Sequence, residues 1–153
     1  KKTNDVNHRY QIKQTFDNND LSKYILKYGY EPIVNHFKLT NTKPGDIRIS
    51  KNRWSFGYHY DCINIILVQL IGTRIVYTKK NKNSTSYKKY KLTPGSMLYI
   101  PMKLYHKVNV LSELNLNFTV MIKDNTKKMY DCNLQFNKDF NIQSNKCKYN
   151  NCV

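Results

Sequence analysis

Short apolar runs separated by turn residues make up most of the chain between residues 47 and 122. These runs are rich in β-branched and aromatic residues, and Gly57, Gly72 and Pro94-Gly95 interrupt them. Many short strands of this kind fold as a sandwich or barrel of two sheets. The predicted strands are 47–54, 63–70, 74–78, 96–100, 106–111 and 114–122.

One segment near the start of the chain has the periodicity of a helix. Apolar residues recur at three- and four-residue intervals from Leu21 to Tyr28, after Asp17, a residue suited to an N-cap. Gly29 and Pro32 follow and predict that the helix ends near residue 30. The pattern therefore predicts a mainly β fold with one short N-terminal helix.

Polar stretches divide the chain into three parts. Residues 38–46 contain Pro44-Gly45 and predict a loop that leads into the strands, and residues 79–91 have the composition of an exposed hairpin loop. After residue 122 the pattern weakens into a polar tail that supplies an edge strand at most. We expect a single domain over 1–153, with a helical and loop segment at 1–45, a core at 46–122 and an extension at 123–153.

The apolar runs and the cysteines bear on location. The run Ile63–Ile71 is far too short to span a bilayer, and the first residues lack the apolar core of a secretory signal. We therefore expect an intracellular protein, cytoplasmic or nuclear, with no membrane partner. Neither a zinc-site spacing nor a dense disulfide pattern is present, so the four cysteines are interpreted as thiols.

The net charge has two interpretations. The sequence carries a formal charge of +16, which favours encounter with polyanions or acidic proteins. Lysine and asparagine are also abundant throughout the chain, as coding bias alone would produce, and such a surface needs no ligand. Both interpretations stay open.

Three side chains have the spacing of a metal site. His59 and Asp61 are two residues apart, so a strand would direct both toward one point. His106 lies at the start of another predicted strand. Two imidazoles and one carboxylate fill three positions around a divalent metal and leave the others open, as non-haem iron requires.

Two motifs around these ligands resemble the JmjC and cupin-like protein hydroxylases. From His59 the chain continues through an apolar strand to Gln-Leu-Ile-Gly, and Arg74 stands fifteen positions after His59. A second motif, Pro-Gly-Ser-Met-Leu-Tyr-Ile-Pro at 94–101, precedes His106 as the corresponding segment does in that family. A weaker echo is Asn-Leu-Asn-Phe at 115–118. The resemblance covers about residues 46–120.

The resemblance implies a double-stranded β-helix, also called a jelly roll or cupin. It implies Fe(II) bound by His59, Asp61 and His106, and 2-oxoglutarate as co-substrate with its distal carboxylate on Arg74, which can bind it bidentately. Many relatives carry a small hydroxylated residue where this chain has Phe56. Four residues could replace it or otherwise contact the co-substrate on the basis of their positions: Ser55, Tyr58, Thr73 and Tyr99. Asn117 is a further cofactor-binding candidate.

The resemblance leaves three functions open. The first is an Fe(II)/2-oxoglutarate-dependent hydroxylase acting on a protein side chain, the second an RNA hydroxylase of the tRNA-modifying type, and the third an inactive metal-binding cupin. Phe56 keeps the third open, whereas Arg74 argues against it. The basic loop at 79–91 is predicted to capture RNA or an acidic or RNA-bound protein. The hydroxylated atom and the oligomeric state are not specified by the sequence.

Overall fold

The computed structural model describes residues 11–14, 20–51 and 55–123. Its strands are β1 (Gln11–Gln14), β2 (Thr42–Lys51), β3 (Ser55–His59), β4 (Asn64–Ile71), β5 (Arg74–Lys79), β6 (Lys88–Leu92), β7 (Met97–Ile100), β8 (Tyr105–Val110) and β9 (Leu114–Ile122). Helices α1 (Asp20–Ile25) and α2 (Glu31–His36) are joined by a π-helical turn, Leu26–Tyr30. No helix in these ranges is long and apolar enough to cross a membrane.

Two antiparallel sheets form the fold. The five-stranded sheet has the order β1-β2-β9-β4-β7, and the four-stranded sheet has the order β3-β8-β5-β6. Consecutive strands alternate between the sheets at several points, since β4 is followed by β5 and β8 by β9. This arrangement is the predicted jelly roll, and the mainly β fold with an N-terminal helix is confirmed.

The helical segment is longer than its sequence predicts. It continues past Gly29 and Pro32 to His36. Pro32 stands in the first turn of α2, at its junction with the π-helical turn, and the start of a helix is where proline is best tolerated. A Cβ on Gly29 would lie 3.1 Å from the ring of Phe118, so glycine lets the helical segment approach the sheet closely. The prediction of an end near residue 30 was wrong because this packing favours continuation.

Apolar side chains form two separate clusters. One lies between the sheets and consists of buried Ile63, Ile65, Leu67, Val76, Leu92, Ile100 and Met121. The other lies between the five-stranded sheet and the helical segment and consists of Ile25, Ile47, Val68, Phe118 and Val120. The central strands of the five-stranded sheet, β2, β9 and β4, therefore carry buried side chains on both faces. The inner face of this sheet, toward the other sheet, is the one that bears on function.

Two predicted loops contain strands. β2 begins at Thr42 within the segment predicted as a loop, and its pairing with β9 is irregular between Pro44 and Ile47. β6 lies in the basic loop and pairs with β5. Its residues alternate in burial, because Tyr90 and Leu92 face inward and the lysines next to them face outward, and this alternation is typical of a strand. β1 was not predicted. Residues 124–153 lie outside the described residues, so the predicted domain boundaries stay a prediction.

Candidate metal centre

His59, Asp61 and His106 come together at one end of the space between the sheets. β3 pairs with β8 so that His59 stands opposite His106, and their ring centroids are 4.2 Å apart. Asp61 follows the end of β3, with its Oδ2 atom 3.5 Å from Nε2 of His106. One potential ligand atom from each residue lies within 4.8 Å of the others. Asp61 thus reaches the same point as His59 although it has left the strand.

Backbone carbonyls orient both imidazoles. Nδ1 of His59 donates to the carbonyl oxygen of Gly57 over 2.9 Å, and Nδ1 of His106 donates to that of Leu104 over 3.0 Å. Because a carbonyl can only accept, each ring carries its proton on Nδ1 when neutral. The Nε2 lone pairs are then available to a metal, in the manner typical of metal-ligating histidines.

The surroundings keep His59 neutral. Burial, followed by the charge of His106 and more weakly that of Arg48, lowers the pKa of His59 to about 4, although Asp61 and the hydrogen bond to Gly57 act in the opposite direction. A neutral imidazole is the form that binds a metal. His106 is 2% exposed, whereas His59 and Asp61 are partly exposed, so the cluster can be reached from solvent on the side of these two residues.

The donor set suits a divalent metal with open coordination positions. Two imidazole nitrogens and one carboxylate oxygen are the ligands of non-haem iron sites, and a structural zinc site would need a fourth ligand. In the described residues no further histidine, cysteine or acidic side chain joins these three as a fourth potential ligand. The remaining positions would be open to smaller ligands.

Arg74 is a buried cation inside the jelly roll. The turn at Gly72, which has a φ of 79°, carries the chain from β4 in one sheet to β5 in the other, so that Arg74 faces inward. Its side chain is only 3% exposed, and its Nε and Nη2 atoms have no hydrogen-bond partner in the described part of the chain. Burial and the charge of Arg48 lower the pKa of Arg74 to about 9. The group is still charged at neutral pH, and its two orphan donors suit an anion.

Polar side chains from β2, β9 and β4 stand opposite Arg74 on the inner face. Arg48 pairs across the strands with Asn117, which pairs with Gln69. Arg48 forms an ion pair with Asp46, with 3.1 Å between Nη2 and Oδ2. Sequence reasoning missed Arg48, although the alternation Ile-Arg-Ile-Ser at 47–50 would have placed it on the polar face.

The other predicted cofactor residues differ in position. Asn117 is 4% exposed on the inner face, where its amide donates to Oδ1 of Asn115 over 2.8 Å and its own Oδ1 has no partner in the described residues. Ser55 is exposed at the start of β3. Tyr99 is 53% exposed, because it pairs with Ile66 on the outer face of the sheet. Asn117 therefore borders the interior, whereas Ser55 and Tyr99 do not.

Of the other two candidates for the missing hydroxyl, Tyr58 lies on the outer face and Thr73 stands at a turn. The ring of Tyr58 lies 4.5 Å from Nζ of Lys79, on the outer side of its sheet. The backbone N–H of Thr73 donates to Oγ of Ser112 at the turn into β5. Cys62, next to Asp61, is disulfide-bonded, so the interpretation of that cysteine as a thiol was wrong.

Comparison with known proteins agrees with the observed fold. A cupin superfamily protein from Desulfitobacterium hafniense is 10% identical over 75% of this chain and 79% of its own, with a TM-score of 0.50. A variant of oxalate decarboxylase from Bacillus subtilis is 17% identical over 57% of this chain and 22% of its own, with a TM-score of 0.47. The CENP-C cupin domain of Drosophila melanogaster is 12% identical over 56% and 61%, with a TM-score of 0.43.

No curated protein matches the sequence. The likeness to the Desulfitobacterium protein shows the cupin fold and nothing about its chemistry. The JmjC domain family matches residues 33–130, a range that contains the three metal-ligand candidates, Arg74 and Asn117. The chain belongs to the JmjC domain family.

Proposed function

We propose that this protein is an Fe(II)- and 2-oxoglutarate-dependent hydroxylase. The observation that carries the proposal is Arg74, a buried guanidinium with two unpartnered donors in the same interior as a 2-His-1-carboxylate cluster. An isolated buried cation is costly, and a bound carboxylate would compensate its charge. A cupin that only bound a metal would have no use for this group.

Each residue of the interior has a distinct part in the proposal. His59, Asp61 and His106 would hold the metal, and their carbonyl-paired Nδ1 atoms keep the Nε2 atoms directed toward it. Arg74 would bind the distal carboxylate of the co-substrate with Nε and Nη2, and Asn117 would contribute a polar contact from the facing sheet. The apolar cluster beside them would exclude water from the reacting groups.

Iron(II) and 2-oxoglutarate, when bound, supply the chemistry that uses dioxygen to hydroxylate a C–H bond and releases succinate and carbon dioxide. The protein contributes binding, orientation and exclusion of solvent. Among the candidates for the hydroxyl group that many relatives place near Phe56, Ser55, Tyr58 and Tyr99 lie away from the described interior. Arg48, paired with Asp46 on the inner face, is a polar group available on that side.

The proposed substrate is a protein side chain, and RNA is the second candidate. The observation that favours RNA is a surface of lysine and tyrosine side chains on the outer face of the four-stranded sheet, which includes Tyr77, Lys89 and Lys107. An acidic or nucleic-acid-associated protein would also be attracted by a net charge of +16.

Metal binding and turnover test the proposal separately. His59→Ala and Asp61→Ala should each lose most of the bound iron in metal analysis, whereas His36→Ala, which changes an exposed histidine on α2, should retain it. Wild-type occupancy in both ligand variants would place the metal elsewhere.

Turnover is followed as succinate released from 2-oxoglutarate, together with a mass gain of one oxygen atom in candidate protein and RNA pools. Arg74→Glu should keep the metal and lose co-substrate binding, and Arg74→Lys should restore part of it because a cation returns. Unchanged 2-oxoglutarate affinity in Arg74→Glu would contradict the proposed cofactor.

A further inference from the structure

The outer face of the four-stranded sheet carries rows of lysine and tyrosine side chains. Tyr77 on β5 stands directly between Lys107 on β8 and Lys89 on β6. Val76, its neighbour in the chain, is fully buried between the sheets, so Tyr77 and both lysines point away from the core. We call this surface the Lys–Tyr face, and it consists of Tyr58, Tyr77, Lys79, Tyr87, Lys89 and Lys107.

Cation–π contacts hold two of the three lysines of this face, Lys79 and Lys107, in place. The Nζ atoms of Lys79 and Lys107 lie 4.5 Å and 5.1 Å from the ring centre of Tyr58, and Nζ of Lys107 lies 4.7 Å from that of Tyr77. Burial, followed by the neighbouring hydroxyls of Tyr87 and Tyr77, raises the pKa of Tyr58. The ammonium groups of Lys79 and Lys107 are thus held against tyrosine rings instead of extending freely into solvent.

The charge around this face is almost entirely positive. Besides the buried Arg74, residues 55–111 contain eight lysines and one acidic residue, Asp61, whose carboxylate is directed to His106 on the other side of the sheet. A solvated surface usually mixes both signs, so the absence of acidic residues from these strands favours a polyanionic partner.

An aromatic ring is available for stacking beside the lysines. Tyr87 is 58% exposed and meets Tyr77 edge-on, with ring centroids 5.5 Å apart and an interplanar angle of 69°. Because more than half of Tyr87 is exposed, part of its ring is open to another planar group. Lysines near exposed rings match single-stranded nucleic acid, whose bases are unpaired and can stack. A duplex would offer phosphates but no exposed base faces.

We propose that the Lys–Tyr face binds single-stranded nucleic acid, with phosphates at Lys79, Lys89 and Lys107 and a base stacked on Tyr87. This binding is separate from the metal chemistry and does not depend on it. It would nevertheless hold the strand close to the metal centre, because Tyr58 and Lys107 are chain neighbours of His59 and His106.

Fluorescence anisotropy with short labelled single-stranded RNA and DNA tests the proposal on the full chain. Lys89→Gln/Lys107→Gln should weaken binding and reduce the slope of log affinity against log salt by about 1.4, since each phosphate contact contributes about 0.7 on a single strand. Tyr87→Leu should weaken binding by about fivefold to 150-fold, the range for loss of one stacked base.

The helical segment offers a matched control. Lys27 and Tyr28 form a similar pair there, with 5.4 Å between Nζ and the ring centre, and Tyr28 is 60% exposed. Lys23→Gln/Lys27→Gln removes the same charge as the double variant of the Lys–Tyr face, and Tyr28→Leu removes an equally exposed ring. Both control variants should leave affinity and salt slope nearly unchanged.

Four outcomes would overturn the proposal. They are no binding at about 50 mM salt, equal losses in the two double variants, binding of duplex at least as tight as that of the single strands, and displacement by polyglutamate as effective as by unlabelled RNA. The last would identify an acidic protein as the partner. Comparing the RNA and DNA arms then separates the two sources of the same chemistry.

Discussion

The central strands of the five-stranded sheet, β2, β9 and β4, carry buried side chains on both faces, but the two faces differ in chemistry. The outer face packs Phe118, Val68 and Ile47 against the helical segment. The inner face of the same strands carries Asn117, Gln69 and Arg48 at the directly paired positions. On β9 the two kinds of residue alternate, so consecutive side chains belong to different environments.

The difference shows that the two faces contribute unequally to the stability of the folded state. On the outer face, apolar burial stabilises the folded state and no polar atom is left unpaired in that cluster. On the inner face, Gln69 Oε1 and Asn117 Oδ1 are buried without partners within the described residues. Each such atom lowers the free energy of unfolding by about 1–3 kcal/mol when neither protein nor water donates a hydrogen bond to it. Orphaned polar groups that converge on one interior are expected where a polar ligand binds.

The largest expected effect concerns stability on the outer face. Phe118→Ala should lower the free energy of unfolding by about 3–5 kcal/mol, because the ring is fully buried and would leave a cavity. Denaturant titration measures the change. Leu114→Ala on the same strand is the control, since Leu114 is 51% exposed and its loss should cost far less. Equal costs would mean that the outer face is not a packed core.

The inner face should respond to truncation in the opposite way. Arg74→Met removes an unpaired buried charge, so the free energy of unfolding of the metal-free protein should stay constant or rise by about 1 kcal/mol or more. Affinity for 2-oxoglutarate should fall by at least about a hundredfold, through loss of charge-assisted hydrogen bonds.

Calorimetry measures the affinity in that variant, and thermal unfolding measures its stability. A large loss of stability in Arg74→Met, with unchanged affinity, would instead make Arg74 a structural residue. The contrast with Phe118 would then disappear.

The metal-ligand cluster should make the stability of the metal-free protein depend on pH. The pKa of His59 falls from 6.5 to about 4 on folding, so between these values the unfolded chain binds more protons than the folded one. Stability should therefore decrease as the pH is lowered from 6.5 to 4, by roughly 3 kcal/mol in total at about 1.4 kcal/mol per unit.

Denaturant titrations across this pH range, with a chelator present, measure the slope. His59→Gln should flatten it, and the exposed His36→Gln should not. A slope that survives His59→Gln would assign the dependence to other groups.

The smallest expected effect concerns Asn117. Asn117→Leu removes the hydrogen bonds of the amide to Oδ1 of Asn115 and to the carbonyl oxygen of Arg48, but it also removes a buried oxygen that has no partner within the described residues. Because these effects oppose each other, the free energy of unfolding should change by no more than about 1 kcal/mol. Affinity for 2-oxoglutarate should nevertheless fall severalfold if the amide contacts the co-substrate. Unfolding and calorimetry on the same sample compare the two quantities. Unchanged affinity would restrict the co-substrate site to the side of Arg74.

The spacing of residues along the chain was enough to predict most of the core strands and the three residues that meet at the candidate metal centre, and the resemblance to a family predicted the jelly roll. Period-two alternation decides which side chains face inward. The two residues of the His-x-Asp motif are so close in the chain that they meet even though β3 ends at His59. The separation of His59 from Arg74 was also informative, because the turn at Gly72 moves the chain into the other sheet. These features depend on spacing along the chain, which a sequence states directly.

Tertiary structure alone decided the rest. The helical segment, which packs closely against Phe118, continues past Pro32. Pairing across strands places Tyr99 on the outer face and Arg48 opposite Asn117. The Lys–Tyr face arises in the same way, since Lys107, Tyr77 and Lys89 are distant in the chain and become neighbours only when β8, β5 and β6 pair. Cross-strand neighbours depend on register, and register depends on the whole sheet.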